Sequence, residues 1–146
     1  MKKLILNLSI LFFLLLSVSA YAKGARYSVN TPFVNIRNGP GSQFEVLWKA
    51  EKNYPLELIQ DKGKWALFKD FEGYKGWVYK PLLSKTKSAI IKVGKCNVRK
   101  GPSKKYKILF IAKKGTPFLV VDEKNGWYKL KHADGDTGWA KKNLLW

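Results

Sequence analysis

Apolar residues come first as one block and afterwards as a pattern. Leu4 to Val18 form a nearly unbroken apolar run behind Lys2 and Lys3, and the run falls short of the ~20 residues that span a bilayer. Ala20 and Ala22 supply the small residues that a signal peptidase reads, so residues 1–22 are expected to be a secretory signal peptide cleaved after Ala22. The alternative is an uncleaved membrane anchor, weakened by Asn7 and Ser9 within the run. Beyond it, apolar residues occur in short stretches rich in β-branched and aromatic types, separated by turn chemistry, a strand pattern. In the second half the pattern predicts strands at 89–93, 97–99, 108–112, 118–122, 127–131 and 137–140, with one helical turn near 141–144. Asn125-Gly126 predicts a tight hairpin, because a type I′ turn needs positive φ at both central positions. Gly39-Pro40 and Gly101-Pro102 open longer irregular loops, since proline cannot donate to a ladder.

The pattern is written twice. Segments 34–83 and 96–145 align without a gap at an offset of 62 and share 17 identities in 50 positions, among them Arg37 with Arg99, Gly39-Pro40 with Gly101-Pro102, Trp65 with Trp127 and Trp77 with Trp139. Two repeats are too few for an elongated stack to bury its faces, so each unit is expected to close its own core. The domains are therefore read as 23–84 and 85–146, with a linker of about a dozen residues from Ser84 to Lys95. Positions 66, 68, 128 and 130 hold Ala, Phe, Tyr and Leu, whereas Lys69, Lys129 and Lys131 alternate with them; the even positions face the core. Fold class is all-β: two tandem small β-barrels, closure being a way to remove exposed strand edges.

Asn35-Ile36-Arg37-Asn38-Gly39-Pro40 with Phe44 and Val46-Leu47, and Asn97-Val98-Arg99-Lys100-Gly101-Pro102 with Tyr106 and Ile108-Leu109, resemble the opening signature of bacterial Src homology 3 domains. Gly126-Trp127-Tyr128-Lys129-Leu130 and Gly138-Trp139-Ala140 are similar to that family's close. The first copy departs at Lys64, where a glycine is expected, and at Asn53, which stands where Gly115 lies. The resemblance implies SH3-like barrels, often exported, often attached to cell-wall hydrolases, and in several members binders of cell-wall peptide or glycan.

Charge then narrows the partners. The chain carries a formal +18, and removing Lys2 and Lys3 with the signal leaves 18 − 2 = +16. Outside the inner membrane such a balance points to wall polymers and other anionic envelope material rather than nucleic acid. No nucleic-acid partner is expected in the cell, and the membrane is a partner only through an uncleaved signal. An envelope protein gripped through the same groove, or a separately encoded hydrolase regulated by this chain, is the rival reading. Segment 34–83 holds eight basic and six acidic residues, net +2, and 96–145 holds twelve and four, net +8; aromatics run the other way, nine against six. Lys100, Lys104, Lys105 and Lys107 crowd one loop and, with Lys129 and Lys131, form the candidate basic patch.

Trp65 and Trp127 share the outward face with Lys69, Lys129 and Lys131 and are candidates for a ligand groove, together with Phe44, Tyr106, Tyr79, Arg37 and Arg99. Either tryptophan could instead fold over a barrel end as packing. Trp77 and Trp139, each after a glycine, are read as structural. The two arginines precede the glycine-proline turn, where a guanidinium pins loop carbonyls or meets a ligand carboxylate. Catalysis is not expected. The one cysteine, Cys96, aligns with Val34 as a small core residue; the one histidine, His132, aligns with Asp70; Asp134 and Asp136 flank a turn glycine. One Cys and one His do not make a zinc site, and no cofactor is expected.

Overall fold

Thirteen strands and two single 3-10 turns make up residues 24–146, the part described by the computed structural model. The expected signal peptide and its cleavage site at Ala22 lie outside the described residues. In the first half β1 (Arg26–Val29), β2 (Phe33–Arg37), β3 (Val46–Glu51), β4 (Pro55–Lys62), β5 (Trp65–Lys69), β6 (Lys75–Tyr79) and β7 (Leu83–Ser84) form one antiparallel sheet in the order β3-β2-β6-β5-β4-β1-β7. In the second, β8 (Ser88–Ile90), β9 (Lys95–Arg99), β10 (Ile108–Lys113), β11 (Pro117–Lys124), β12 (Trp127–Lys131) and β13 (Thr137–Lys141) follow the order β10-β9-β13-β12-β11-β8. The bridge between Ile91 and Leu145 repeats the pairing of Val29 with Leu83. The all-β architecture read from the sequence is the observed one.

Four bulges recur at matching places. Leu47 and Ile59 in the first unit, and Leu109 and Val121 in the second, are skipped by the ladder. An extra residue bends its strand and increases the twist, which lets so short a sheet curl around a core. Each unit has its own core: Val29, Val34, Ile36, Leu56 and Phe68 in one, Ile91, Cys96, Val98, Phe118 and Leu130 in the other. Ala66, Phe68, Tyr128 and Leu130 all point inward, as alternation requires.

The two departures of the first copy leave the topology intact. Asn125 and Gly126 both take positive φ, 49° and 81°, in the second hairpin. In the first hairpin only Gly63, one place earlier than Lys64, is left-handed, at φ 78°. Asn53 adopts φ 69° where Gly115 takes 84°, a conformation that asparagine tolerates better than most residues.

The stretch from Ser84 to Lys95 is not the dozen-residue linker expected from sequence. Ser88–Ile90 pairs with β11, and Ala89, Ile90 and Ile91 are fully buried because the second unit needs them in its wall. Only Lys85, Thr86 and Lys87 join the sheets. The units also touch directly: the Arg26 guanidinium lies 3.5 Å from the Trp146 ring centre, and Lys114 pairs with Glu72 at 3.4 Å.

Candidate binding faces

Alternation along β5 turns Trp65, Leu67 and Lys69 away from the core that Ala66 and Phe68 enter. Register then assembles a row across three strands, since Trp65 lies opposite Tyr79, Leu67 opposite Trp77, and Trp77 opposite Arg37. The Trp65 and Tyr79 rings are 5.5 Å apart and tilted by 51°, while Lys62 stands 5.5 Å from the Trp77 ring centre. Trp65 is half-buried and takes no part in the buried cluster of its barrel.

Trp77 and Trp139, which the sequence reads as structural, both stand on this outer face. The glycine before each explains the arrangement: a Cβ on Gly76 or Gly138 would collide with Ile36 or Val98, so β2 and β6, and β9 and β13, approach closely while the indole turns outward. In the second unit Trp127 lies opposite Lys141, Lys129 opposite Trp139, and Trp139 opposite Arg99. Lysines thus replace Tyr79 and Leu67, and Lys131 ends the row. The same face is aromatic in one barrel and ammonium-rich in the other.

The loops beside these faces are pinned by the paired arginines. Arg37 Nη1 donates to the Phe44 carbonyl at 2.7 Å; Arg99 Nη1 donates to the carbonyls of Tyr106 at 3.0 Å and Lys104 at 3.2 Å. Phe44 and Tyr106 fold back onto Gly39 and Gly101, where a Cβ would overlap the ring, and still leave 38% and 47% of their surface exposed. Lys100, Lys104, Lys105 and Lys107 are all exposed, and among the described residues none forms a salt bridge. Their counterparts in the first barrel are Asn38, Ser42, Gln43 and Glu45, so this loop changes sign between the copies.

A pocket that sequence reasoning did not single out recurs in both barrels. Trp48, Tyr54, Asp70, Glu72 and Tyr74 line about 330 Å3 in the first; Phe110, Thr116, His132, Asp134 and Asp136, their counterparts, line about 250 Å3 in the second with four neighbours. Asp134 and Asp136 around Gly135, and Asp70 and Glu72 ahead of Gly73, are its sequence signal. Most of their capacity is used locally. Asp70 accepts the Tyr54 hydroxyl at 3.1 Å and the amides of Glu72 and Tyr74 at 2.9 Å, and burial, reinforced by Asp70, pushes the Tyr54 hydroxyl well above its ordinary value. Asp134 accepts the Asp136 amide at 2.9 Å and lies 2.9 Å from His132 Nδ1, contacts that hold its carboxyl below the usual range. Cys96 is only 1% exposed, and burial pushes its thiol up, away from the thiolate a nucleophile needs.

Paired bent sheets, each closed on its own core and carrying the same pinned loop, define a tandem of small SH3-like β-barrels. The chain belongs to the bacterial SH3 domain family, whose pattern fits it twice, over residues 30–85 and 92–146. Among curated proteins it is similar to the putative N-acetylmuramoyl-L-alanine amidase YrvJ of Bacillus subtilis (strain 168), 27% identical over 128 residues that make up 80% of this chain and 24% of the relative. The chain therefore spans about a quarter of that protein's length. Similar solved structures include NlpC1 from Trichomonas vaginalis, at 15% identity and a TM-score of 0.40 over 87% of this chain and 47% of that one. An NlpC/P60 family protein from Bacillus cereus ATCC 10987 matches at 14% identity and a TM-score of 0.39, over 83% of this chain and 55% of that one.

Proposed function

We propose that the chain is an exported, non-enzymatic tandem module that binds a polymer of the bacterial cell wall, peptidoglycan first among them. The observation that carries this reading is the division of labour between equivalent faces. Trp65, Tyr79 and Trp77 offer ring surfaces on the first barrel, and Lys141, Lys129 and Lys131 beside Trp127 and Trp139 offer charge on the second. Sugar rings and peptide stems stack on flat apolar rings, while wall carboxylates and phosphates are drawn to unpaired ammonium groups in a salt-dependent way. The loop of Lys100, Lys104, Lys105 and Lys107 extends that attraction. Two further observations support the reading: the apolar leader at 4–18 is suited to export, and the curated relative carries the name of a wall amidase.

The test is a pull-down of residues 23–146 with purified sacculi over a salt series, beside a cell-fractionation control. Retention at low salt that weakens as salt rises is expected; no retention at low salt overturns the reading.

A further inference from the structure

Five cationic side chains and no Asp or Glu side chain line an open cleft of about 500 Å3 where the two barrels meet their three-residue joint. Arg26 comes from β1 of the first barrel, Lys85 and Lys87 from the joint, and Lys92 and Lys142 from the second barrel. Three rings in the walls hold four of these cations in place. Arg26 lies 3.5 Å from the Trp146 ring centre, Lys85 lies 3.7 Å from that of Tyr27, and Lys87 and Lys142 lie 4.5 and 5.1 Å from that of Tyr128. Such contacts limit the side-chain freedom that an ammonium group would otherwise have to lose on binding.

Two acids reach these cations from outside the lining. Glu123 pairs with Lys142 at 2.7 Å and with Lys87 at 3.3 Å, and Glu57, opposite Arg26 across the β1–β4 ladder, is tied to Lys69 at 3.3 Å. Five cationic side chains against two acidic ones leave a side-chain balance of 5 − 2 = +3 around one concavity. Burial lowers the Arg26 guanidinium from its ordinary value, with Glu57 opposing, so this charge has lost part of its hydration without a full replacement.

We propose that the cleft is a second binding site, separate from the outer faces, for a ligand carrying successive phosphate groups, held between Arg26 of one barrel and Lys142 of the other. Point charges arriving from three directions match tetrahedral, multiply charged oxyanions better than a planar carboxylate, and the arginine adds a bidentate fork. A bridging ligand also clasps the barrels together. The site does not rest on the wall-binding reading, and either can fail alone.

The experiment titrates isotope-labelled residues 23–146 with sodium tripolyphosphate at constant ionic strength and follows the amide spectrum. Shifts are expected to centre on 26–27, 85–92 and 142–146. Arg26→Gln with Lys142→Gln is expected to weaken binding about tenfold, and Lys104→Gln with Lys105→Gln, which removes the same charge elsewhere, less than about threefold. If the first pair melts early, Lys85→Gln with Lys92→Gln on exposed side chains makes the same comparison. Equal losses in the matched pairs, or shifts led by 100–107, overturn the cleft in favour of diffuse attraction. Displacement by a glycerol-phosphate oligomer assigns the ligand to a polymer, and displacement by phosphatidylglycerol vesicles assigns it to a lipid headgroup. Displacement by neither overturns the ligand class.

Discussion

The Arg26 guanidinium lies 3.5 Å from the ring centre of Trp146, so the first strand of one barrel holds the last residue of the other. The two apolar cores share no residue, which separates docking from folding. Replacing Arg26 with Ala is expected to cost about 1 kcal/mol of inter-barrel contact. It should speed tryptic cleavage after Lys85 and Lys87 while hydrogen exchange in both cores stays unchanged. Mass spectrometry of the first peptides released checks this, and an unaltered cleavage rate would refute it.

Trp65 meets Tyr79 outside the buried cluster, at 5.5 Å between ring centres. Trp65→Ala should therefore cost about 1 kcal/mol of stability, the scale of one aromatic pair with partial burial. Retention on sacculi is expected to fall by about tenfold, the loss typical of a central contact residue. A melting scan beside the pull-down separates the effects; a large drop in melting temperature with proportionate loss of retention would return Trp65 to packing.

A Cβ on Gly101 would stand 2.6 Å from atoms of the Tyr106 ring. Gly101→Ala is expected to destabilise the second barrel by about 1–3 kcal/mol, the range of an overpacked site. Combining it with Tyr106→Ala should recover part of that loss, with a coupling of about 1 kcal/mol in a double-mutant cycle of urea unfolding. Strict additivity would show that the ring is not what excludes the side chain.

Asp61 and Glu123 sit below the ordinary carboxylate range, chiefly through hydrogen bonds from Lys80 and Lys142 respectively. A depressed folded pKa gives a contribution that is complete above the unfolded value and is lost as pH falls through the folded one. Stability is accordingly expected to decline below about pH 4. Asp61→Asn should lower the urea midpoint at neutral pH and leave it unchanged at low pH; an equal drop at both would break the linkage.

Cys96 replaces the core valine of the first barrel, and burial raises its thiol pKa. Ellman's reagent is expected to leave it untouched at mildly alkaline pH and to react stoichiometrically once the chain is unfolded. Rapid native labelling would contradict the assignment of this residue to the interior.

Much of this fold is legible in the sequence because its signals are local. Alternation separates Trp65 from Ala66, Asn125-Gly126 specifies its own turn, and the offset repeat fixes which positions correspond. Arg37 and Arg99 were expected to hold the loop after each glycine-proline pair, and the carbonyls of Phe44 and Tyr106 are their acceptors. What escaped depends on partners distant in the chain. Trp77 looked structural because a glycine precedes it, whereas that glycine serves the approach of Ile36 and frees the indole to turn outward. The polar run from Ser84 to Ser88 looked like the start of a long tether, and only pairing with β11 shows where the second sheet begins. The recurrent acidic pockets and the basic cleft draw on residues far apart in the chain, such as Trp48 with Asp70 or Arg26 with Trp146, which no periodicity connects.

A joint of only Lys85, Thr86 and Lys87 reaches about 10 Å when fully extended. So short a joint narrows the range of spacings open to the duplicated faces, and the protein acts as a gauge. The contacts of Arg26 with Trp146 and of Glu72 with Lys114 narrow the orientation of the second barrel further, so under the proposed function a strand seated on the first would meet the second after a shorter search. Under the proposed function, a polymer whose own repeat matches that interval would gain both grips at once, and one out of step would be held by one.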